Sequence, residues 1–400
     1  MLQVTVSFPS ASGEILQLPK HSKVGDLKIL AQKTFGKGLL KLITEDGRLL
    51  TNPQDSLQAA GVKDAAHLTA VVQQVQLAAS CNAFAAWCRG GSRILTWGDQ
   101  IFGGDCSAVQ ERLQNVQRVQ GIYDVFVAIL ADGSVATWGR PDCSAVQDQL
   151  RDVQEIQATE EAFAAILADG SVVAWGDPEC GGDCTSVQDQ LVNVQQIQST
   201  GCAFAAILTD GSVVTWGDPE WGGDCTSVQD QLVNVQQIQS TGCAFAAILA
   251  DGSVITWGDP DQGGQCFAVQ DQLKNVQQIQ ATDSAFAAIL ADGSVVAWGN
   301  PGCGGDCSTI QDQLRNVRQL QSTRGGAFAA ILEDRSVVTW GLPDWGGDCS
   351  AVQDQLRNAQ QIQSTEGAFA AILADGSLVA WGLPNFGGDC SAVQDQFHYL

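Results

Sequence analysis

A Trp-Gly pair that recurs eight times constrains the fold of this chain more than any other feature. The pairs begin at residues 97, 138, 175, 216, 257, 298, 340 and 381, with spacings of 41, 37, 41, 41, 41, 42 and 41. One unit, residues 194–234, reads VQQIQSTGCAFAAILTDGSVVTWGDPEWGGDCTSVQDQLVN. The array runs from near Val72 to near Phe397. Such a period indicates a repeat architecture in which each unit packs against its neighbours.

Each unit reads as four short strands. VQQIQST is the first, AFAAIL is apolar on both faces, and an Asp-Gly turn leads into SVVTW. The fourth stretch, TSVQDQL, is either a strand or one helical turn. Four strands in about 41 residues fit a blade of a β-propeller, and closing the ring removes exposed sheet edges. The pattern therefore predicts a mainly β chain with a closed β-propeller.

The repeat pattern V-x-x-I, A-F-A-A-I-L-x-D-G-S-V-V-x-W-G and G-G-D resembles the regulator of chromosome condensation family over residues 72–397. The resemblance implies a propeller of RCC-type repeats, usually with seven blades, and the eight repeats leave seven or eight blades open. That family usually carries a His in the turn before the second strand. Here the position reads Ala203-Phe204 and Ala244-Phe245.

Residues 1–72 form a separate pattern that resembles ubiquitin. Strands are expected at LQVTVSF, ILQL, LLKLI and RLL, a helix at 23–35, a turn or short helix at DSLQAAGV, and a closing strand at HLTAVV. The chain continues without ubiquitin's Gly-Gly, so the resemblance implies a built-in α+β (β-grasp) ubiquitin-like domain, 1–72, ahead of the propeller, 73–400. It also implies a docking patch at Ile43 and Val71, unless these belong to the core with Leu42 and Leu68.

The repeats differ from one another at two places. One is the turn between the first and second strands, and the other is the residue before Gly-Gly in the loop after the third strand. In an up-and-down blade both emerge at the same end, and loops on a rigid scaffold commonly carry binding residues. We therefore expect a protein-binding face anchored by Phe102, Trp221, Trp345 and Phe386. Neutral variation of exposed loops is the alternative. The second repeat, RPDCSAV, lacks the Gly-Gly tip, which predicts a notch there.

The net charge of the chain favours some classes of binding partner over others. The chain carries a net charge of −24; residues 1–75 contribute +2 and residues 76–400 contribute −26. This field repels nucleic acid and attracts basic proteins, although solubility alone also explains it. No apolar run is long enough for a membrane span, and no secretory signal is visible. We expect a cytoplasmic or nuclear protein.

Fourteen cysteines are present. One per repeat occupies a single motif position, where we expect a small buried apolar side chain: Cys106, Cys143, Cys184, Cys225, Cys266, Cys307, Cys349 and Cys390. The pairs Cys180/Cys184 and Cys303/Cys307 leave a local redox pair open. His21, His67 and His398 lie away from both pairs, which argues against zinc, and the aspartates of the turns read as backbone caps. We therefore expect no enzyme activity, no cofactor and no metal.

The resulting hypothesis is a non-enzymatic adaptor. The propeller would bind a protein client, and the ubiquitin-like domain would dock on ubiquitin or proteasome components. One alternative is the substrate-recognition part of a ubiquitin ligase, since related propellers occur in HECT-type ligases; we expect no HECT domain here, so the chain would act with a separate catalytic chain. Two further alternatives that the resemblance leaves open are guanine-nucleotide exchange on a small GTPase and ultraviolet sensing.

Overall fold

The computed structural model describes residues 1–9, 13–37, 40–72, 75–80, 83–89, 91, 93–122, 125–139, 146 and 148–391. Its residues fall into two compact units, Met1–Asp142 and Cys143–Leu400. Nine sheets are present in the described residues, one of four strands and eight of three, and helices are few. The chain is therefore mainly β and repetitive, as the sequence predicts. No helix in the described ranges is long and apolar enough to span a membrane.

The four-stranded sheet comes first in the chain. Its elements are β1 (Leu2–Ser7), β2 (Glu14–Leu18), α1 (Val24–Phe35), β3 (Leu40–Thr44) and β4 (Ala66–Val72). The strand order is β2-β1-β4-β3, with β1 and β4 parallel and the other pairs antiparallel. One face of α1 packs on the sheet through buried side chains, because its apolar residues recur at helical spacing.

One expected strand in this region is reduced to a single bridge. The segment RLL pairs only through Leu49, which forms an isolated bridge with Ile43. The turn before it is tight, with Thr44 N donating to the Arg48 carbonyl at 2.9 Å. After that turn the chain runs back beside β3 as far as Leu50, whose N donates to the Leu42 carbonyl, and then diverges from the strand. The four-stranded sheet ends at Val72 and the next sheet begins at Val75; the boundary after residue 72 stays a prediction.

Each of the eight repeats forms one three-stranded antiparallel sheet. The first strands are Val75–Ala79, Val116–Ile122, Val153–Ala158, Val194–Ser199, Val235–Ser240, Val276–Ala281, Val317–Thr323 and Ala359–Ser364. The second strands are Ala83–Cys88, Val125–Leu130, Ala162–Leu167, Ala203–Leu208, Ala244–Leu249, Ala285–Leu290, Ala327–Leu332 and Ala368–Leu373. The third strands are Ile94–Gly98, Val135–Gly139, Val172–Gly176, Val213–Gly217, Val254–Gly258, Val295–Gly299, Val337–Gly341 and Leu378–Gly382. The sheets of repeats one and two belong to the first unit, and those of repeats three to eight to the second.

The expected fourth strand is instead a run of turns. Short helical turns occur in these loops at Gln100–Gly104, Ser107–Val109, Pro178–Gly182, Pro219–Trp221, Gln229–Gln231, Pro260–Gln262, Pro301–Cys303, Ser308–Ile310, Pro343–Trp345 and Pro384–Phe386. In the third repeat the Asp183 carboxylate accepts from Thr185 N at 2.9 Å, which starts a turn. The Gln188 side-chain amide then donates to the Val172 carbonyl at 3.1 Å, so a side chain takes the position of a fourth ladder. The helical-turn alternative is therefore the correct one.

Adjacent sheets are joined by a recurrent junction. In the fourth repeat, Phe204 and Trp216 stack with ring centroids 5.1 Å apart, and the Gly-Gly tip of the preceding repeat lies on this pair. Trp216 Nε1 donates to the Gly181 carbonyl at 3.0 Å. Glycine is required at position 181 for two reasons: its φ is +90°, and a Cβ there would lie 2.7 Å from the Phe204 ring. The same bond joins Trp138 to Gly103, Trp257 to Gly222, Trp298 to Gly263, Trp340 to Gly304 and Trp381 to Gly346.

The third repeat is the exception in the second unit. Trp175 is 4% exposed and stacks on Phe163, yet its Nε1 has no hydrogen-bond partner in the described part of the chain. The preceding repeat is the one whose sequence lacks Gly-Gly. The predicted notch falls on residues 140–145, which lie outside the described residues.

Candidate protein-interaction surface

The two variable places lie side by side in each of repeats three to eight. At the end of a first strand, the Thr200 hydroxyl donates to the carbonyl of the tip residue Trp221 at 3.0 Å. Just after the third strand, Asp218 N donates to the Cys202 carbonyl at 2.9 Å. Both contacts recur in the other repeats of the second unit. Turn and tip therefore emerge together, as expected for an up-and-down sheet.

Backbone hydrogen bonds also connect the turns of successive repeats. Gly201 N donates to the Gly242 carbonyl at 2.7 Å, and Gly242 N donates to the Asp283 carbonyl at 2.8 Å. The row extends in both directions, from Glu160 N to the Gly201 carbonyl, from Asp283 N to the Arg324 carbonyl and from Gly325 N to the Glu366 carbonyl. The variable turns of repeats three to eight thus form one continuous row, which we call the turn row.

Two of the four predicted anchors contact each other. The rings of Trp345 and Phe386 lie 5.7 Å apart between centroids at 36°. Trp345 is half-buried, and a Cβ on Gly367 would meet its ring at 3.0 Å and Phe386 at 3.2 Å. Phe386 is 37% exposed. These residues form a small aromatic cluster across the tips of repeats seven and eight.

The other two predicted anchors are Trp221 and Phe102. Trp221, half-buried, lies in the tip of the fourth repeat, with its ring edge against Gly201. The backbone of Phe102 belongs to the helical turn of the first repeat, but its side chain lies outside the described residues. Of the three anchors whose side chains the structure describes, Trp345 and Phe386 are therefore in ring contact with each other, and Trp221 contacts the turn of its own repeat.

A disulfide links one tip to the next turn. Cys180, the tip residue of the third repeat, is bonded to Cys202 in the turn of the fourth, with Cα atoms 3.9 Å apart. The expected pairing partner Cys184 is instead buried, its Sγ 3.2 Å from Gln188 Oε1, and burial raises the pKa of its thiol. The redox alternative therefore named the wrong partner, because Cys184 points into the core. Of the repeated cysteines that the structure describes, all are buried except Cys390, which is half-buried.

Comparison of the repeats missed a third variable position, which lies at a groove. A groove of about 780 Å³ runs between repeats four and five and is lined by Trp221, Glu220, Asp224, Asp259 and Phe267, among others. Phe267 is 81% exposed. The signal was readable, since seven repeats carry Asp-Cys-Ser/Thr at this motif and only the fifth reads Gln265-Cys266-Phe267.

The groove is negatively charged. Repeats four and five, residues 194–275, contain nine Asp or Glu and one basic residue, Lys274. Burial, and next the carboxylates of Asp259, Glu160 and Asp283, raise the pKa of the Cys243 thiol to about 11. Cys243 lines the groove, where burial is the main cause of the high pKa of its thiol and the nearby carboxylates add to it.

The first sheet carries the residues expected for the ubiquitin-like patch on one face. Ile43 pairs with Thr69 and Lys41 pairs with Val71 between β3 and β4. Directly paired residues share a face, so Ile43 and Val71 lie together, opposite the face that buries Leu42 and Leu68. Ile43 is half-buried and Val71 is 38% exposed. Neither side chain belongs to the core.

The described residues contain no group of three or more His, Cys, Asp or Glu placed to hold a metal ion. The turn aspartates are occupied as caps: Asp210 Oδ1 accepts from both Ser212 N and Ser212 Oγ, at 2.9 and 2.6 Å. These bonds lower the pKa of the Asp210 carboxyl, with the hydroxyl contributing most. The carboxylates at these turns therefore have a structural use.

No protein-family model matches the chain, and no curated protein matches it. Among solved structures, it is similar to Prp20p from Saccharomyces cerevisiae at 12% identity, with a TM-score of 0.36 over 76% of this chain and 81% of that chain. It is also similar to yeast RCC1 (Prp20) bound to Kap60, at 14% identity and a TM-score of 0.39 over 62% and 73%. Its N-terminal part is similar to a ubiquitin-like domain of the 4931431F19Rik protein, at 27% identity and a TM-score of 0.17 over 18% and 75%.

Proposed function

We propose that this chain is a non-enzymatic protein-binding adaptor whose repeats close into an RCC-type β-propeller. The observation that carries the proposal is the turn row, which holds the variable turns and tips of repeats three to eight on one edge. A rigid row of backbone bonds gives these side chains fixed positions without strands of their own, which lowers the entropic cost of binding. Half-exposed aromatic residues at its tips provide anchors of the kind that dominate interfaces.

The partner is a basic protein. Residues 76–400 carry a net charge of −26. The described turn row contains the basic side chain of Arg324, whose Nε donates to the Asp283 carboxylate at 2.8 Å, so its charge is paired within the row. Complementary charge accelerates encounter and selects against acidic partners and nucleic acid.

The N-terminal sheet has a separate part in this proposal. It acts as a ubiquitin-like domain that docks ubiquitin or proteasome components through Ile43 and Val71. Support comes from their shared face, from the neighbouring Lys41, and from the burial of Leu42 and Leu68 on the opposite face. Two neighbouring apolar side chains on this sheet face, which also carries the exposed Ile15 on β2, form a compact docking patch.

Quantitative affinity capture with the full chain tests the client surface. Trp345→Gln with Phe386→Gln places at both tips the residue that the fifth repeat carries at Gln262. We expect this variant to lose the basic proteins that the unmodified chain captures. Thr209→Ala, at the opposite end of the fourth repeat, introduces the residue found there in neighbouring repeats and serves as the control. The proposal is contradicted if the double tip variant still captures the basic proteins and the Thr209→Ala variant does not.

The docking patch is tested with an isolated ubiquitin-binding domain as the probe. Ile43→Ala with Val71→Ala should reduce its affinity for the full chain by more than tenfold, because both apolar contacts are lost. Ile29→Ala, 53% exposed on α1, is the matched control on the other side of the sheet. Unchanged affinity in the double variant would remove this docking role and leave the client surface untouched.

A further inference from the structure

We infer that the groove between repeats four and five binds an extended segment of the protein partner in which lysine or arginine alternates with apolar residues. This inference rests on the proposed function and names the site and the chemistry of its occupant. The groove opens beside the turn row, because Trp221 and Cys243 line it and both belong to tip and turn segments.

The apolar part of the recognition comes from two aromatic side chains. Both Trp221 and Phe267 line the groove; Trp221 is half-buried and Phe267 is 81% exposed. Most large apolar side chains of this repeat are nearly inaccessible; Trp257, which forms part of the floor, is 3% exposed. Phe267 therefore contributes little to the fold of its own repeat and retains its full apolar surface for a partner.

The charged part of the recognition comes from carboxylates. Glu220 and Asp224 are exposed and Asp259 is half-buried, and no lysine or arginine lines the groove. A cation that enters lies between these carboxylates and within reach of the indole of Trp221, where carboxylate attraction and cation–π attraction act together. An anionic or neutral segment gains neither.

The fifth repeat is the one repeat of the eight in which the Asp-Cys-Ser/Thr motif of this turn is replaced. In the fourth repeat Asp224 caps the turn by accepting from Thr226 N at 2.9 Å, and the same cap recurs at Asp183, Asp306, Asp348 and Asp389. In the described hydrogen bonds Gln265 caps nothing. The repeat thus gives up a stabilising cap and exposes a phenylalanine in the same three residues, a combination that folding does not explain.

The occupant follows from the spacing of these features. A lining that combines two aromatic side chains with several carboxylates suits an extended strand, whose alternate side chains point to opposite sides. A groove of about 780 Å³ accommodates a few residues of such a strand. Lysine or arginine facing the carboxylates and leucine-sized residues facing Phe267 satisfy both halves of the site.

The probe is a fluorescein-labelled nine-residue peptide of alternating lysine and leucine, titrated with the full chain and followed by anisotropy. Phe267→Ser introduces the residue of the sixth repeat, Ser308, and should weaken binding about tenfold. Glu220→Gln with Asp224→Asn should weaken binding about fivefold and flatten its salt dependence. A peptide with glutamine in place of lysine should bind at least tenfold more weakly.

The matched control makes the same charge change at another junction. Glu179→Gln with Asp183→Asn neutralises the equivalent residues of the third repeat and should leave the peptide affinity unchanged. Equal weakening by both pairs of substitutions would show non-specific attraction and overturn the inference. Unchanged binding in Phe267→Ser would overturn it as well. Either result leaves the client surface standing if capture still depends on Trp345 and Phe386, so the two failures are distinguishable.

Discussion

The tryptophans of the third and fourth repeats differ in one hydrogen bond. In the fourth repeat, Trp216 Nε1 donates to the Gly181 carbonyl of the preceding tip, whereas the equivalent Trp175 in the third repeat is equally buried and its Nε1 has no partner among the described residues. The stacked Phe–Trp pair is nevertheless present in both repeats, at 5.1 Å. Where the glycine tip is described, it adds a buried polar bond to the stacked pair, and this bond offsets the desolvation of the indole N–H.

The largest expected effect comes from filling the glycine tip. Gly181→Ala should destabilise the second unit by about 2–4 kcal/mol, because its Cβ meets the Phe204 ring and its φ is +90°. The measurement is the denaturant midpoint followed by tryptophan fluorescence. Gly387→Ala is the control, since its φ is +96° but no described atom lies within 4 Å. Equal losses at both glycines would mean that backbone strain alone matters and that the tip does not lock the junction.

The next effect separates the two tryptophans. Trp216→Phe should cost about 1 kcal/mol more than Trp175→Phe, because it leaves the buried Gly181 carbonyl without its donor, whereas Trp175 Nε1 has no acceptor in the described part of the chain. Both substitutions remove the same indole volume, so the difference in unfolding free energy isolates the hydrogen bond. A larger loss at Trp175 would show that its Nε1 acquires an acceptor in solution, and the comparison would then fail.

The smallest effect concerns the carboxylates that shape the tips. The bonds from Thr185, backbone first and side chain second, lower the folded-state pKa of Asp183. Its contribution to stability is therefore present above the unfolded-state pKa, about 4, and is lost as the pH falls through the lower folded value. As the pH is lowered from 5 to 2, the midpoint temperature of thermal unfolding should fall less steeply for Asp183→Asn than for the unmodified chain. An identical slope would show that this cap adds no stability.

Most of the fold follows from the sequence because its signals repeat. The period, the Asp-Gly turns and the doubly apolar AFAAIL strands predict eight similar sheets, and eight three-stranded sheets are present in the described residues. The fourth strand was wrong because local alternation cannot reveal that a side chain such as Gln188 bonds the strand edge in place of backbone. The same reasoning applies to RLL, where a tight turn left room for one bridge only.

The candidate site was predicted less completely. Variation among repeats identified the turns and tips, and the structure brings Trp345 and Phe386 together. Variation alone could not show which tip aromatics contact each other, since the contact of a tip depends on the size of the neighbouring turn residues. Phe267 was missed because the predicted sites were positions that vary among many repeats, whereas this position differs in one repeat. The Cys180–Cys202 disulfide joins positions 22 residues apart, which no short motif relates.

The seventh repeat is one residue longer than most, and the extra residue falls in the turn row. There Arg324 supplies the accepting carbonyl and Gly325 the donating N–H, two functions that Gly201 and Gly242 each perform with a single residue. The insertion is absorbed at the point where neighbours meet, and the strands on either side keep their pairing, Phe328 opposite Trp340. Length changes during duplication of such units are thus tolerated at this edge, where new side chains enter the surface without disturbing the sheets beneath.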